Sequence, residues 1–275
     1  MKSNPSDYID KTYNELTILD TIFKNGQTYA KCKCSCGKIT QKRLASIKCG
    51  HTKSCGCLSV KNLFTKNTKR TLVNDFSVLS PETTYWAGFL FGDGCIDKNN
   101  KLQICLGQGA HNVEHLKKLS TYLFNHDYVC VYKDKCHLQV TSDKVAYNLQ
   151  KFGIIPNKTY HGCLKMPTKY QADFIRGYFD ADGWFSRKES YNKTYNKYYV
   201  AHVWGLCSYR KDNLDIMSKH LPTKCKTHKI PNRHLYDLRI QNKLGINTVI
   251  DYLQPQNKYL CLSKKWEKIW TYQQN

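Results

Sequence analysis

Two aspartates, Asp93 and Asp182, end two similar apolar runs, and each is followed by a glycine. The two stretches are WAGFLFGDG and IRGYFDADG. Their apolar periodicity predicts helices, and a glycine just after the last periodic residue is typical of a helix C-terminus. A carboxylate at that end meets the negative pole of the helix dipole, at a cost of roughly 0.3–1 kcal/mol. An unfavourable acid that recurs at the same position indicates a function for both carboxylates.

A second group of chemically capable residues is a cysteine cluster near the start of the chain. Thiols that are clustered in a chain without an export signal are expected to bind metal rather than to form disulfides. Four thiolates hold Zn²⁺ tetrahedrally, and the ion stabilises a segment that has few apolar residues. The knuckle-like pairs Cys34 with Cys36 and Cys55 with Cys57 are the predicted zinc ligands, and Cys32, Cys49 and His51 remain alternatives.

The composition indicates a polyanionic partner. Lys and Arg number 43 against 21 Asp and Glu, which gives a formal charge of +22. Such an excess is tolerated most easily beside nucleic acid or an anionic membrane. No apolar run approaches the 18 or so residues that a membrane span needs, and the first residues have no signal-peptide core. We therefore expect an intracellular protein in a reducing compartment, the cytoplasm of a host cell, with a phage gene as one possible origin, and no membrane partner.

The charge is concentrated in one early segment. Between Asp20 and Asp75 there is no acid, while the same stretch holds twelve Lys and Arg residues. A long cationic segment with clustered cysteines is typical of a nucleic-acid contact. We predict a small zinc-binding, DNA-contacting module at residues 1–58 and a basic linker at 59–80. The predicted DNA contacts of this region are Lys42, Arg43, Lys53, Lys69 and Arg70.

The rest of the chain, residues 81–275, repeats itself. The two acids lie 89 residues apart, and at the same spacing Gly88 matches Gly177 and Gly92 matches Ala181. A glycine inside a helix costs about 1 kcal/mol relative to alanine. Its recurrence at one position therefore predicts that the two helix backbones pack closely against each other.

The segments after the two motifs are also parallel. Alternating and helical patterns follow each other in the same order, which predicts an α+β domain of two αββαββ repeats, at about 81–165 and 166–275. In the last hairpin strand of each repeat, Leu138, Val140, Leu238 and Ile240 are predicted to face the core. The alternate residues are of the types that read base edges, and they are the remaining predicted DNA contacts: Gln139, Thr141, Arg239 and Gln241.

The doubled motif with its matching flanks resembles the LAGLIDADG homing endonucleases in their single-chain form. The early cysteine-rich stretch resembles a small zinc-binding module common beside phage-encoded endonucleases. The first resemblance implies a pseudo-twofold pair of repeats that forms a DNA-gripping saddle, in which Asp93 and Asp182 meet at the centre and bind Mg²⁺, with Gly92 and Ala181 as further metal ligands. It also implies one basic catalytic residue near each acid. These residues are Lys158 in FGIIPNKTY and, by the repeat, Lys265 in LCLSKKWEK, with Lys264 as the alternative.

The function implied by this resemblance is site-specific double-strand DNA cleavage. We expect a metal-dependent hydrolase of phosphodiester bonds, a nuclease of a mobile element associated with intron homing, acting as a monomer. An RNA maturase that binds intron RNA and a non-cutting DNA-binding regulator are the alternatives. The chain departs from the family's motif at Trp86 and Ile175, and Phe91 replaces the acid that the second copy carries as Asp180. We expect Asp180 to be a structural or solvent-facing acid.

Overall fold

The protein consists of two compact units, residues 1–70 and 71–275. The computed structural model describes residues 4–57, 70–257 and 259–274. The predicted contact Lys69 and residues 58–68, which include the start of the predicted linker, lie outside the described residues. Within the described ranges, no helix is long and apolar enough to cross a membrane.

In its described residues, the first unit has a short 3-10 helix (Pro5–Tyr8), a four-stranded antiparallel sheet and one short α-helix. Its strands are β1 (Thr12–Tyr13), β2 (Leu16–Lys24), β3 (Gln27–Cys34) and β4 (Ile39–Arg43), hydrogen-bonded in that order, and α1 (Leu44–Lys48) follows. The sequence Asn25-Gly26 connects β2 and β3 with φ angles of +51° and +72°, as a tight hairpin turn requires. The buried core is small, and its members are Leu16, Ile18, Ala30, Cys32, Cys34, Leu44 and Ile47.

The first repeat of the second unit begins with the helix that carries Asp93. Ser80 caps this helix, because its hydroxyl accepts a hydrogen bond from the Thr83 N–H at 3.0 Å. The elements are α2 (Pro81–Asp93), β5 (Gly94–Ile96), β6 (Lys101–Gly107), α3 (Ala110–Phe124), β7 (Cys130–Tyr132), β8 (Lys135–Thr141), α4 (Asp143–Gln150) and α5 (Lys158–His161). The four strands form an antiparallel sheet in the order β5-β6-β8-β7.

The second repeat has the same order of elements. It comprises α6 (Gln171–Asp182), β9 (Gly183–Asn192), β10 (Lys197–Ser208), α7 (Lys211–Ser218), β11 (Thr227–Lys229), β12 (Tyr236–Ile240), α8 (Lys243–Leu253) and α9 (Ser263–Gln273). Its antiparallel sheet has the order β9-β10-β12-β11, which matches the first sheet strand for strand. The predicted α+β pair of αββαββ repeats is confirmed, and each repeat ends in additional helices.

The segment before α2 belongs to the second unit. Phe76 is 3% exposed in the main core, and the Asn74 side chain donates to the Tyr122 carbonyl at 2.7 Å. The sequence placed this segment in a linker that ends at residue 80. The structure packs it on the repeats because Phe76 buries a ring there, which outweighs the polar character of its neighbours.

The two repeats are joined through α2 and α6. A Cβ built on Gly88 would lie 2.0 Å from the Phe174 carbonyl oxygen, and one built on Gly177 would lie 2.0 Å from the Tyr85 carbonyl oxygen. Tyr85 and Phe174 occupy matched positions of the two repeats, so the contact obeys the pseudo-twofold symmetry. The predicted close approach of the two helices is confirmed, and only glycine fits at either position.

Candidate functional site

The two motif acids lie side by side where α2 and α6 end. A Cβ built on Gly92 would lie 2.4 Å from the Ala181 Cβ and 3.2 Å from the Asp182 Oδ2. The two helix ends therefore touch through Gly92 and Ala181, one residue before each acid. Gly88 and Gly177 let the two helices approach closely earlier along their length. Asp93 and Asp182, which are both half-buried, therefore lie close together at the helix ends.

The surroundings of these carboxylates disfavour their charge. Burial, followed by the charge of Asp182, raises the pKa of Asp93 to about 6, although Lys265 and Lys158 oppose this rise. Burial also raises the pKa of Asp182. Two carboxylates that repel each other in a partly dry site form a donor set that suits a hard divalent cation such as Mg²⁺. The residues present therefore fit the metal site that the sequence predicted.

Each acid has a lysine beside it, and both lysines bind backbone carbonyls at the helix ends. Lys158 Nζ donates to the Gly92 oxygen at 2.7 Å. Lys265 Nζ donates to the oxygens of Phe179 at 2.9 Å, Ala181 at 3.0 Å and Gly183 at 2.7 Å. These carbonyls form the negative poles of the two helices, so the ammonium groups stabilise both helix ends.

The same lysines are electrostatically coupled to the acids. Burial lowers the pKa of Lys158 and of Lys265, while the neighbouring carboxylates raise them. Lys264, the alternative to Lys265 as the basic residue of the site, is exposed and makes none of the carbonyl contacts described above. The carbonyls of Gly92 and Ala181, which were predicted to share in metal binding, each accept a hydrogen bond from a lysine.

Asp180 is a structural acid at the junction of three helices. It is 1% exposed, and it accepts hydrogen bonds from the Tyr85 hydroxyl at 2.7 Å, the Leu262 N–H at 2.7 Å and the Trp266 Nε1 at 2.9 Å. Burial nevertheless raises the pKa of this carboxyl. Asp180 thus ties α6 to α2 and to the start of α9, where it holds the Leu262 backbone and the Trp266 side chain on either side of Lys265.

Among the residues that the structure describes, the first repeat has no equivalent of this junction. Phe91 occupies the position that matches Asp180, and its ring packs 5.9 Å from that of Tyr178. Lys158 accordingly makes one described carbonyl contact where Lys265 makes three. The two halves of the candidate site are therefore alike in their acids and unequal in how firmly their lysines are held.

Sequence reasoning missed two further residues of the site. The Tyr178 hydroxyl donates to the Cys207 carbonyl at 2.7 Å, and its proximity to Asp182 lowers the pKa of that carboxyl. The Cys207 thiol in turn donates to the Asp182 carbonyl oxygen at 3.1 Å. Tyr178 lies one helical turn before Asp182, a spacing that could have suggested a contact, whereas nothing in the sequence connects Cys207 on β10 with the acid.

The open faces of the two sheets carry the predicted base-reading residues. Leu138 and Leu238 face the core at 2% and 0% exposure, and Ile240 does so at 3%, so the predicted strand alternation is confirmed. The four alternate residues Gln139, Thr141, Arg239 and Gln241 are exposed. Arg239 is also oriented by a neighbour that the sequence analysis did not single out, because its Nε donates to the buried Asp237 Oδ2 at 2.8 Å.

The cysteine cluster forms a compact group of four thiols in the first unit. The Sγ atoms of Cys34 and Cys57 lie 3.6 Å apart, those of Cys36 and Cys55 lie 3.4 Å apart, and all four lie within 4.8 Å of one another. Zinc–sulfur bonds of about 2.3 Å in a tetrahedron place sulfurs about 3.8 Å apart. Hydrogen bonds from the backbone of Cys36 and Cys55 lower the pKa of Cys34 to about 6. The four thiols therefore fit Zn²⁺.

The alternative zinc ligands lie outside this group. The Cys32 thiol donates to the Ala30 carbonyl and the Cys49 thiol to the Ser46 carbonyl, each at 3.5 Å. His51 is exposed and is not one of the four grouped residues. Among the predicted DNA contacts of this unit, Arg43, Lys53 and Arg70 are exposed and Lys42 is half-buried.

Comparisons with known proteins bear chiefly on the fold. No family model matches the chain. A stretch of 116 residues, 38% of this chain, is 32% identical to a probable translation initiation factor IF-2 of Methanocaldococcus jannaschii, and it spans only 9% of that protein.

Several solved structures share the architecture. The meganuclease I-SmaMI bound to uncleaveable DNA has a TM-score of 0.50 and 11% identity, covering 70% of this chain and 91% of that chain. I-SmaMI bound to uncleaved DNA with calcium ions has a TM-score of 0.50 and 11% identity, covering 72% and 92%. The LAGLIDADG homing endonuclease I-GzeII with its DNA target has a TM-score of 0.47 and 12% identity, covering 72% and 91%. With its paired motif helices and two matched antiparallel sheets, this chain has the LAGLIDADG homing endonuclease fold.

Proposed function

We propose that this protein is a site-specific DNA endonuclease that cuts both strands of a duplex in the presence of a divalent metal ion such as Mg²⁺. The observation that carries the proposal is the meeting of Asp93 and Asp182, one from each repeat, beside Lys158 and Lys265. The two acids are related by the pseudo-twofold symmetry of the repeats. The two phosphates to be cut, one on each antiparallel DNA strand, are also related by a twofold axis, so one acid can serve each strand. The DNA in the I-SmaMI structures supports the same substrate.

The chain's own residues have distinct roles in this reaction. Asp93 and Asp182 would hold the metal ions. A bound metal ion would supply an activated water and would stabilise charge on the leaving oxygen. Lys158 and Lys265, fixed on the helix-end carbonyls, place positive charge next to the acids. That positive charge favours the binding of a phosphate at the site. It also opposes the rise in the pKa of the two acids that burial causes. The carbonyls of Gly92 and Ala181 each accept a hydrogen bond from a lysine ammonium, so in this arrangement they position Lys158 and Lys265 beside the acids.

Recognition of the DNA falls to surfaces on either side of this centre. The exposed residues Gln139, Thr141, Arg239 and Gln241 face away from the helices and can reach base edges in a major groove. Arg239 is held in one orientation by Asp237, which reduces the entropy lost on binding. In the first unit, Arg43, Lys53 and Arg70 are exposed cations suited to phosphates, and a zinc ion in the four-cysteine group would stabilise that unit. Association with an intron and homing remain part of this proposal.

The test uses a randomised duplex library, with the ends sequenced after incubation with protein and Mg²⁺. Once a site is known, Asp93→Asn and Asp182→Asn are each expected to slow double-strand cleavage by more than roughly a hundredfold, since even the outer partners of metal ligands contribute about 10–100-fold. Specific binding should be retained, because neither acid reads bases. The matched control is Asp134→Asn, an exposed acid in the β7–β8 turn.

Three results would contradict the proposal. Cleavage at the wild-type rate by either active-site variant would remove the shared-acid mechanism. Specific duplex binding without any cleavage in Mg²⁺ or Mn²⁺ would identify the regulator instead. Tight binding of a structured RNA that duplex DNA does not displace would identify the maturase.

A further inference from the structure

The first unit presents an exposed face on the side of its sheet away from the buried core. In β3 the residues Ala30, Cys32 and Cys34 are buried, so Lys31 and Lys33 point to the opposite side. The register of β3 with β4 places Gln41 directly opposite Lys31, and Arg43 opposite Tyr29. We call the exposed set Lys31, Lys33, Gln41 and Arg43 the ribbon face.

The cations that the sequence analysis predicted to be DNA contacts in this unit do not all lie on the ribbon face. Lys42 precedes Arg43 directly, but it pairs with the buried Ala30 and lies half-buried on the core side of the sheet. Lys53 follows α1 and is not part of this sheet. Of the predicted contacts in the described part of this unit, only Arg43 therefore lies on the ribbon face.

The first unit is electrically polarised between this face and its cysteine end. Lys31, Lys33 and Arg43 supply three positive charges to the ribbon face, and β2 places one negative charge there, because Asp20 pairs directly with Lys31. Glu15, by contrast, accepts a hydrogen bond from Ser35, next to the cysteine group. Four thiolates around one Zn²⁺ would add a net negative charge at that end. The exposed Lys38 and Lys53 also lie at the cysteine end, where zinc-bound thiolates would offset their charge, whereas the three cations of the ribbon face are opposed by Asp20.

The residue types on this face match base reading as well as phosphate contact. β3 and β4 form one edge of the four-stranded sheet, and the major groove of B-form DNA admits a pair of β-strands. In that groove Arg pairs with guanine and Gln with adenine through two hydrogen bonds. Gln41 and Arg43 are alternate residues of one strand and point the same way, while Lys31 and Lys33 lie on the adjacent strand. We propose that the β3–β4 ribbon enters the major groove of duplex DNA, with Gln41 and Arg43 reading bases and Lys31 and Lys33 binding phosphates.

Duplex DNA is favoured over RNA by the shape and composition of the ribbon face. The major groove of an RNA helix is too narrow for a ribbon, and single-stranded bases are bound by stacking on exposed aromatic rings. The aromatic residue of β3 on this side is Tyr29, which is half-buried. The inference rests on the proposed function only in that the protein binds duplex DNA, and it does not require cleavage.

The experiment is a binding selection with the full-length, zinc-loaded protein on random duplexes, without added Mg²⁺. The wild-type protein should select a core site and, on one flank, additional preferred base pairs. Arg43→Ala and Gln41→Ala should each erase the preference at a different flanking position, by roughly five- to a hundredfold in relative affinity. The core preference should stay unchanged. The matched control is Lys42→Ala, which removes the same charge one residue away on the other side of the sheet.

Two further variants separate base reading from charge. Arg43→Lys keeps the charge but loses the two-pronged guanidinium, so the flanking preference should disappear while the salt dependence of binding is retained. Lys31→Ala together with Lys33→Ala should weaken binding to all sequences alike and should reduce the slope of log K against log salt by about 0.9 for each lost contact. Zinc content near one per chain checks that each variant is folded.

Several outcomes would overturn the proposal. It is wrong if the wild-type protein selects no flanking bases, if Lys42→Ala has the same effect as Arg43→Ala, or if Arg43→Lys leaves the flanking preference intact. Because selection depends on binding alone, a failure of the proposed endonuclease function would appear separately, as a selected site that is never cut.

Discussion

Replacing Asp93 by asparagine should stabilise the protein in the absence of divalent cations, although the same substitution should slow cleavage by more than roughly a hundredfold. In the proposed function this site holds a cation, and without one the charge of Asp93 opposes folding. Burial and the nearby Asp182 raise the pKa of Asp93 from 3.8 to about 6. Asparagine has nearly the same shape and carries no charge, so it removes this penalty.

The magnitude and its pH dependence follow from that pKa. A pKa of about 6 in the folded state against 3.8 in the unfolded chain corresponds to a penalty of about 3 kcal/mol at neutral pH. Partial exposure of the site reduces the expected gain for Asp93→Asn to about 1–3 kcal/mol. Between pH 3.8 and 6 the folded protein binds more protons than the unfolded chain. This site's contribution to stability therefore falls as the pH rises through that window.

Urea unfolding followed by tryptophan fluorescence measures this effect without interference from the first unit. All five tryptophans belong to the second unit, and they are Trp86, Trp184, Trp204, Trp266 and Trp270. The wild-type protein, Asp93→Asn and the control Asp134→Asn are compared at pH 7.5 and pH 4.5, without Mg²⁺ and without chelator. The advantage of Asp93→Asn should be present at pH 7.5 and should shrink at pH 4.5, where the wild-type carboxyl is largely protonated.

A different sign or a different pH dependence would refute this reasoning. If Asp93→Asn is less stable than the wild type at pH 7.5, the lysines must stabilise the carboxylate more than burial destabilises it. If its advantage is the same at both pH values, the effect is not one of charge. Added Mg²⁺ should stabilise the wild type by mass action and should have a smaller effect on Asp93→Asn.

Three other perturbations test separate parts of the structure. Gly88→Ala and Gly177→Ala should each destabilise the second unit by about 2 kcal/mol or more in urea unfolding, because the new methyl group meets a backbone oxygen at 2.0 Å. The control Gly107→Ala should be nearly neutral, because the nearest atom to its new methyl group would be 3.9 Å away. Cys34→Ser should lower the zinc content from one per chain towards zero and unfold the first unit, and a wild-type zinc content would contradict the assignment. Asp180→Asn should lower the free energy of unfolding by about 1–3 kcal/mol, since asparagine cannot accept all three hydrogen bonds. Because it loosens Lys265, it should also slow the cutting of one DNA strand more than the other. Equal slowing of both strands, measured with a label on each end, would argue against that coupling.

Much of the second unit could be predicted because its signals are local. Period-2 and period-3.6 patterns located the strands and helices, and the alternation of Leu138 with Gln139 correctly predicted which side of β8 is buried. The glycines at matched positions predicted the helix contact for a physical reason, since a mid-helix glycine is unfavourable unless something approaches it closely. The close spacing of Cys34 with Cys36 and of Cys55 with Cys57 likewise identified the four thiols that the structure groups together.

Other features depend on contacts between residues far apart in the chain. Asp180 receives hydrogen bonds from residues 82, 86 and 95 positions away, so no local pattern could show that it is buried rather than solvent-facing. The contact of Cys207 with the Asp182 carbonyl was equally invisible, because it arises where β10 passes the end of α6. The packing of Phe76 was missed because the residues around it are polar and basic.

The sequence by itself determined the repeat, the order of the elements, the paired acids and the thiol group, because each of these rests on residue type and spacing along the chain. Only the tertiary structure decided that the two acids share one half-buried site, that Lys265 rather than Lys264 binds the helix-end carbonyls, and that Arg43 and Lys42 lie on opposite sides of a sheet. The physical reason is that burial, and with it the pKa of an acid or the availability of a cation, is a property of packing. Packing depends on which distant segments meet, and no short stretch of the chain contains that information.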